Sequence, residues 1–482
     1  MKTQKYLLVS AMPTPNGGLH LGHLAAQFLP QDIFKRYHKR KGKIVEFYGG
    51  FDVYDNAISV AARKKNVSTY EMAIHYQDII KKELKYFNID IDRFLNYLEP
   101  ELIEKSKFLI NTLNNIFSQA IVTKKISYPY SLDNTPVTGN WLSGKCKKCH
   151  SDIKGYSCDH CGISITPNDI YDFYFEKSYK SQGITWKDKE VSFLSTPIVD
   201  LKNYISSQPI SDDIKILCHK LNQRKIINYQ WTAIDQWGMY INPNDKDEVF
   251  FNRNFTLIEQ MIVADIFYKI HGENPFSSDS KVKTILAYGK DNVGLLLVDL
   301  PSILLGNNIF EPYKQHWVSH FYCINGKKMS TSKNFAIWLN DIIASKVSSD
   351  STRAYICSVY SRDKDIDLDL KALLEHDRFS SDLKQGILSM NKISQKDSGE
   401  NTLSHTMESI AKKIDDIFSS SDLNFKEYYD RYKEFCALIY YVNCQKSATL
   451  WVEIFDNYFS ALVPNIALFA KKNVRVYAKK SK

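Results

Sequence analysis

The chain has 482 residues, a length that suggests about three domains at roughly 100–200 residues each. Hydrophobic residues make up 44% and charged residues 24%, which excludes disorder over most of the chain. The 63 Lys and Arg residues outnumber the 54 Asp and Glu residues by nine, which is compatible with a polyanionic ligand. No segment reaches the roughly 18 apolar residues of a membrane span. We therefore expect a cytoplasmic protein with no membrane partner and no cleaved signal peptide.

Strand and helix patterns alternate along the first part of the chain. Buried strands are predicted at 5–10 and 43–48, and helices at 21–41, 56–65 and 68–88. The last of these helices begins with a Ser that is followed three residues later by Glu, the pattern of a capping box. Such alternation predicts a parallel sheet with crossover helices.

The remaining sequence predicts an insertion and a helical region. The pattern is irregular over 119–226 and returns to strand–helix alternation over 227–325, so one α/β domain is split by an insertion. Amphipathic stretches at 406–418, 425–443 and 449–468 then favour a helical bundle with no further strands after Asp365. The predicted domains are 1–118, 119–226, 227–325, 326–365 and 366–482.

Four of the nine cysteines form a Cys-x2-Cys-x8-Cys-x2-Cys group. They are Cys146, Cys149, Cys158 and Cys161. Two such pairs can close a tetrahedron around zinc at about 2.3 Å per bond, and a site with four filled positions is structural rather than catalytic. His150 and His160 lie close enough in sequence for either to replace a cysteine.

A glycine- and histidine-rich segment follows the first predicted strand and opens the first helix. It contains His20-Leu21-Gly22-His23, called here the HLGH segment. A helix N-terminus attracts phosphate, and two histidines can donate hydrogen bonds to phosphate oxygens as charge builds at the α-phosphorus. Gly22 leaves room for a flat base against the backbone. A pair of ordinary core or surface histidines is the alternative.

A second candidate phosphate site is the lysine–serine loop, residues 325–334, which follows a predicted strand. Lysine charge and serine hydroxyls on such a small, basic loop can clamp a pyrophosphate. The alternative is a solvated lysine-rich turn.

Together, and in this order, these features resemble the class I aminoacyl-tRNA synthetases, and among them the methionyl type. The HLGH segment resembles the family's HIGH signature, and residues 328–332 resemble its KMSKS signature. Gly289-Lys290-Asp291 resembles a family GKD at the end of a strand, and the four cysteines resemble the zinc knuckle of the connective peptide. The resemblance implies a Rossmann-type α/β sheet split by a zinc-knuckle insertion and followed by a C-terminal α-helical bundle.

The resemblance also implies an activity, in which an amino acid and ATP give an aminoacyl-adenylate before the acyl group passes to an acceptor. ATP with Mg²⁺ and a structural Zn²⁺ are the expected cofactors. The catalytic residues would be His20, His23 and Lys328. The ATP-binding residues would be Asn16, Gly17, Gly22, Lys290, Asp291, Ser330, Ser332 and Lys333. The amino-acid-binding residues would be Ser10, Met12, Thr14, Asp52, Arg253 and Leu296, with Asp52 on the substrate ammonium.

Several positions depart from the methionyl pattern. Thr331 stands where the KMSKS signature has its second lysine, so a slower first step is expected. In the amino-acid pocket Thr14 replaces a tyrosine, Leu296 a histidine, and Asn252 or Arg253 a tryptophan. Since each unpaired buried polar group costs about 1–3 kcal/mol, these residues favour a polar substrate over methionine. Arg253 could pair with a substrate carboxylate, or it could be an ordinary solvated arginine.

The acceptor of the acyl group stays open. Trp451, the tryptophan nearest the position at which the family stacks on a tRNA base, lies in an amphipathic stretch that predicts core packing. The partner is therefore either tRNA or a small-molecule hydroxyl or amine, such as an N-hydroxylated lysine, in natural-product metabolism with a separate cupin-type enzyme. A catalytically weak regulatory paralogue is a third hypothesis.

Overall fold

The computed structural model describes most of the chain. The described residues are 3–156, 158, 160–161, 163–176, 183–241, 247–331, 334–390, 401–420 and 422–474. Among the helices in these ranges, none combines the length and the apolar character needed to cross a bilayer.

Strands and helices are numbered in chain order. The strands are β1 (Lys5–Ser10), β2 (Ile44–Gly50), β3 (Arg93–Leu95), β4 (Ile121–Ser131), β5 (Leu142–Cys146), β6 (Asp152–Lys154), β7 (Ile170–Phe175), β8 (Ile184–Pro197), β9 (Ile226–Gln230), β10 (Thr232–Ile234), β11 (Met239–Tyr240), β12 (Glu248–Phe250), β13 (Lys283–Gly289), β14 (Gln315–Ser319), β15 (Tyr322–Ile324), β16 (Lys327–Lys328) and β17 (Ile366–Asp367). The α-helices are α1 (Leu21–His23), α2 (Leu29–Arg40), α3 (Ala57–Lys65), α4 (Thr69–Tyr86), α5 (Pro100–Ile116), α6 (Lys202–Ser206), α7 (Asp212–Asn222), α8 (Phe255–His271), α9 (Leu300–Gly306), α10 (Leu339–Ala344), α11 (Ser349–Val359), α12 (Leu370–Ser389), α13 (Asn401–Ser419), α14 (Phe425–Ala437), α15 (Gln445–Phe459) and α16 (Pro464–Asn473).

The central sheet is parallel, as the alternating pattern predicts. Its five strands run in the order β14-β13-β1-β2-β3, and every neighbouring pair is parallel. Leu7, Leu8 and Val9 of β1 are fully buried, as expected for a strand covered on both faces by helices. The carboxyl ends of β1, β13 and β14 meet at one edge of the sheet, where open α/β sheets bind their ligands.

The first helices confirm the local sequence signals. The predicted helix at 21–41 is observed as α1, a π-helical segment at Leu24–Phe28, and α2. Ser68 caps α4, because its Oγ accepts the Glu71 N–H at 3.1 Å while the Glu71 carboxylate accepts the Ser68 N–H at 3.0 Å.

The predicted insertion and the residues just after it contain three small antiparallel sheets, β4-β8-β9, β6-β5-β7 and β10-β12-β11, together with α6 and α7. The four cysteines belong to the second of these sheets and to the turns beside it. The predicted boundary at residue 226 falls on the first residue of β9, and β9 pairs with β8 up to Gln230.

The C-terminal helices pack as a bundle on the α/β domain, with two local corrections. The stretch at 449–468 is two helices rather than one, because Pro464 begins α16. The expectation of no strand after Asp365 is also wrong, since β17 pairs in parallel with β15. Trp451 is fully buried and stacks on Phe455 at 4.6 Å, which confirms the predicted core role.

Candidate active site

The two histidines of the HLGH segment hold each other in place. The His20 N–H donates to Nδ1 of His23 at 3.2 Å, and the His23 N–H donates to Nδ1 of His20 at 3.3 Å. The rings stack with centroids 3.7 Å apart. Because both Nδ1 atoms accept main-chain hydrogen bonds, the proton of each neutral ring sits on Nε2, which can then donate to a ligand.

The surroundings keep both imidazoles neutral. Burial, with the nearby His23 and Lys328, lowers the pKa of His20 to about 2. Burial lowers the pKa of His23 to about 4, although Asp291 opposes that shift. Near neutral pH the pair therefore offers N–H donors without carrying positive charge.

The lysine–serine loop packs directly on the HLGH segment. A Cβ at Gly22 would lie 3.1 Å from the Met329 methyl, so Met329 packs closely against this glycine. The chain after the loop continues along the same segment, where the Leu21 N–H donates to the Ile337 carbonyl at 2.9 Å. Two segments about three hundred residues apart thus line one cleft.

The lysines around this cleft are fixed by the ends of β13 and β14. Lys328 is ion-paired with Asp291 at 3.1 Å and lies 3.9 Å from the centroid of the Phe321 ring. Lys290 is ion-paired with Asp365 at 2.6 Å and lies over the same ring at 4.6 Å. The ion pairs and the shared aromatic ring hold two lysine ammonium groups at this edge of the sheet, Lys328 among them close to His20, and lysines so placed can bind a polyphosphate.

Not every predicted nucleotide-binding residue has a described role in this cleft. Asn16 and Gly17 lie in the turn before the HLGH segment, and Thr331 packs on Gly17, where a Cβ would come within 2.9 Å of the threonine methyl. Ser330 exchanges main-chain hydrogen bonds with Phe335 at 2.8 and 3.1 Å. Ser332 and Lys333 lie outside the described residues.

A cavity of about 280 Å³ opens next to this cleft at the carboxyl edge of the sheet. Four predicted amino-acid-binding residues line it, namely Met12, Asp52, Arg253 and Leu296. Ser10 and Thr14 are absent from its wall. Ser10 is fully buried, with an Oγ that makes no hydrogen bond within the described protein.

The cavity wall carries more ionisable groups than the sequence indicates. Burial raises the pKa of Asp52 well above its usual range, and Asp55 raises it further while Arg253 opposes both. Burial also raises the pKa of Glu259 to about 8, with a smaller contribution from Asp52. Three carboxyl groups thus share one largely desolvated space.

The four cysteines come together as predicted. Their ligand atoms all lie within 4.8 Å of one another, and the Cys149 and Cys158 sulfurs are 3.4 Å apart. Burial tends to raise the pKa of Cys149, but hydrogen bonds from Ser151 and the neighbouring thiols outweigh that effect and bring it down to about 6. Four converging sulfurs fit tetrahedral Zn²⁺. His150 instead bonds the Tyr171 hydroxyl through Nδ1 at 3.1 Å.

Sequence reasoning missed several residues that shape the site. Glu83 accepts the Leu19 N–H at 2.9 Å and so fixes the chain just before the HLGH segment. Phe321 supports both lysines, and Tyr156 extends the insertion into the cavity wall. Glu259 lines the cavity one helical turn beyond Thr256. None of these residues belongs to a local motif, so only their position in the fold reveals them.

The fold and the site together define a class of protein. A family model described as tRNA synthetases class I (M) matches residues 6–390. Since that match covers most of the chain, the protein belongs to this family, which confirms the resemblance seen in the motifs.

Known relatives agree at the level of family and fold. The chain is 26% identical over 348 residues to a methionine–tRNA ligase of Methanococcus aeolicus, and 27% identical over 385 residues to one of Streptococcus pneumoniae. These matches cover 70% and 72% of this chain but only 51% and 64% of the relatives, so the chain spans about half to two thirds of their length. A Mycobacterium tuberculosis methionyl-tRNA synthetase solved with methionyl-adenylate has a TM-score of 0.69 at 14% identity, with 97% of this chain and 93% of that chain covered. At this low sequence identity, the likeness shows that the two proteins share a fold.

Proposed function

We propose that this chain is an ATP-dependent ligase that joins an amino acid to AMP and then passes the acyl group to an acceptor. The observation that carries the proposal is the contact of Met329 with Gly22, together with the Lys328–Asp291 ion pair beside His23. It brings N–H donors and lysine charge to one cleft, next to a cavity of amino-acid size.

The first step needs stabilisation of phosphate charge. A carboxylate oxygen of the amino acid attacks the α-phosphorus of ATP, the bond to the bridging oxygen breaks, and pyrophosphate leaves. The Nε2–H groups of His20 and His23 would donate to the α-phosphate oxygens as charge builds on them. Lys328 would hold the departing pyrophosphate. Mg²⁺ bound with ATP would offset phosphate charge, and none of the residues named here is assigned to that ion.

The amino acid would bind with its ammonium on Asp52, in the cavity beside the cleft. We propose a polar substrate rather than methionine, because Asn252, Arg253 and Glu259 add polar groups to a wall that is otherwise largely apolar and aromatic, and such groups need polar partners when buried. Burial raises the pKa values of Asp52 and Asp55, and the charge of Arg253 opposes that rise at both, so Arg253 already interacts with these two groups. This weakens the expectation that Arg253 binds a substrate carboxylate.

The acceptor is proposed to be tRNA, by analogy with the relatives. Tyr440 and Tyr441 follow α14 with side chains 79% and 68% exposed, and exposed rings of this kind can stack on bases. The burial of Trp451 favours the alternative of a small-molecule hydroxyl or amine. No feature of the residues that the structure describes speaks for a cupin-type partner.

ATP–pyrophosphate exchange, run separately with each proteinogenic amino acid, tests the ligase and its pocket. We expect exchange with a polar amino acid. Exchange with methionine alone would support the ligase activity but overturn the proposal of a polar substrate. Absence of exchange with every amino acid would overturn the ligase and leave the regulatory paralogue.

Charging of total tRNA with the preferred amino acid tests the acceptor. Stable acyl-tRNA is the expected product. Exchange without any acyl-tRNA would instead support a small-molecule acceptor.

A further inference from the structure

The cavity wall contains hydrogen-bonding groups that the protein itself leaves without partners. Glu259 is 9% exposed, and its buried Oε1 accepts no hydrogen bond within the described protein. The hydroxyl of Tyr97, a residue 2% exposed, is also unpartnered. Both residues line the amino-acid cavity. An unsatisfied buried polar group costs free energy unless a ligand supplies its partner.

The geometry points to Glu259 as the residue that selects the substrate side chain, which we propose ends in a hydrogen-bond donor, best of all a protonated amine. This inference rests on the proposed function and deepens it by naming the substrate class. Glu259 lies on the same side of α8 as Thr256, three residues earlier, and both face the cavity.

The pairing of the charged groups around the cavity favours a cationic substrate side chain over a neutral hydrogen-bond donor. Asp52 is reserved for the α-ammonium, and Asp55 lies in the field of Arg253. The other described lysine or arginine in the wall, Lys154, is ion-paired with Glu176 at 3.3 Å. Glu259 is the carboxyl group that remains for a side-chain amine. Burial, with a smaller contribution from Asp52, raises the pKa of Glu259, and a bound ammonium group would oppose both effects.

An apolar side chain would leave the same groups unpaired. Sites built to hydrogen-bond a substrate reject analogues that lack the bonding group far more strongly than apolar pockets reject an added methylene. The Tyr97 hydroxyl, which can accept as well as donate, would share the amine with Glu259.

The test measures ATP–pyrophosphate exchange with lysine, ornithine, norleucine and methionine. Norleucine matches lysine in length but lacks the amine. We expect kcat/KM for lysine or ornithine to exceed that for norleucine at least tenfold. Preference for norleucine or methionine would overturn the inference while the ligase stands, whereas no exchange with any amino acid would overturn both.

Variants separate a specificity role from a structural one. Glu259→Gln is expected to lower kcat/KM for the amine substrate about tenfold or more while leaving norleucine exchange within about threefold of the parent protein. The matched control is Asp265→Asn on the outer face of α8, where the carboxylate pairs with Lys269 at 3.0 Å. Equal losses for both substrates in Glu259→Gln would overturn a role in selection.

Discussion

At the scale of single residues, the two imidazoles of the HLGH segment are built as neutral donors. His23→Ala removes one Nε2–H group from the proposed α-phosphate site. We expect ATP–pyrophosphate exchange to fall about a hundredfold or more, as happens when one preorganised transition-state donor is lost. The control is His75→Ala on the exposed side of α4, which should leave the rate unchanged. A loss of less than about fivefold in His23→Ala would contradict the proposed role.

The buried carboxyl group of Glu83 leads to a prediction about how the stability of the protein depends on pH. Burial raises its pKa to about 7, against an opposing hydrogen bond from the Leu19 N–H. Between its usual pKa of 4.5 and about 7, the folded state binds a proton that the unfolded state has released. Stability therefore falls as pH rises through this window and levels off above it.

The variant Glu83→Gln keeps an oxygen for the Leu19 N–H but cannot ionise. Urea unfolding at pH 4.5, 6 and 8 should show a stability difference that grows in favour of Glu83→Gln with rising pH. A difference that is constant over this range would refute the assignment. Other buried carboxyl groups contribute equally to both proteins and cancel in the comparison.

At the scale of elements, the β6-β5-β7 sheet has a core in which the cysteines are principal members. Its buried residues are Leu142, Cys146, Ile153, Cys158, Ile165 and Ile170. So small an apolar cluster supplies little stability by itself, and metal binding at the four sulfurs would supply much of the rest.

We expect about one zinc per chain by metal analysis. Cys149→Ala should lower the zinc content to near zero and reduce the thermal stability of the insertion. Since Tyr156 joins this region to the cavity and donates to Asp235, KM for the amino acid should rise as well. The control is Cys218→Ala, a buried cysteine outside the cluster, which should leave the zinc content unchanged. Full zinc content in Cys149→Ala would argue against the site.

At the scale of the whole molecule, one buried arginine joins the helical bundle to the α/β domain. Arg353 of α11 is fully buried and pairs with the buried Asp32 of α2 at 2.6 Å. Its guanidinium also donates to the Leu462 carbonyl at 2.8 Å and to the Phe87 carbonyl at 3.0 Å. One side chain thus satisfies groups from three separate parts of the chain.

Arg353→Met should destabilise the protein by about 3–5 kcal/mol, because it leaves Asp32 and several carbonyls with fewer partners. Urea unfolding measures the change. Arg362→Met, at a solvent-accessible pair with Asp363, should cost less than about 1 kcal/mol and serves as the control. Similar losses in the two variants would show that the buried connection contributes little.

The sequence by itself determined the features that depend on neighbours a few residues apart. The strand at Lys5–Ser10, the Ser68 cap of α4 and the four-cysteine group all follow from short spacings whose physics is local. The family resemblance added the expectation that the HLGH segment and the lysine–serine loop meet, and the packing of Met329 on Gly22 agrees with it.

Only the tertiary structure decided which distant side chains share a space. Glu83 and Glu259 lie in no motif, and the ion-pair partner of Arg353 lies far away in sequence, in α2; each of these side chains matters because of groups distant along the chain. The raised pKa values of Glu83 and Glu259 arise from desolvation, which depends on everything packed around a group rather than on its neighbours in sequence. For that reason the sequence predicted a polar pocket, whereas the fold was needed to show which carboxyl group is left without a partner.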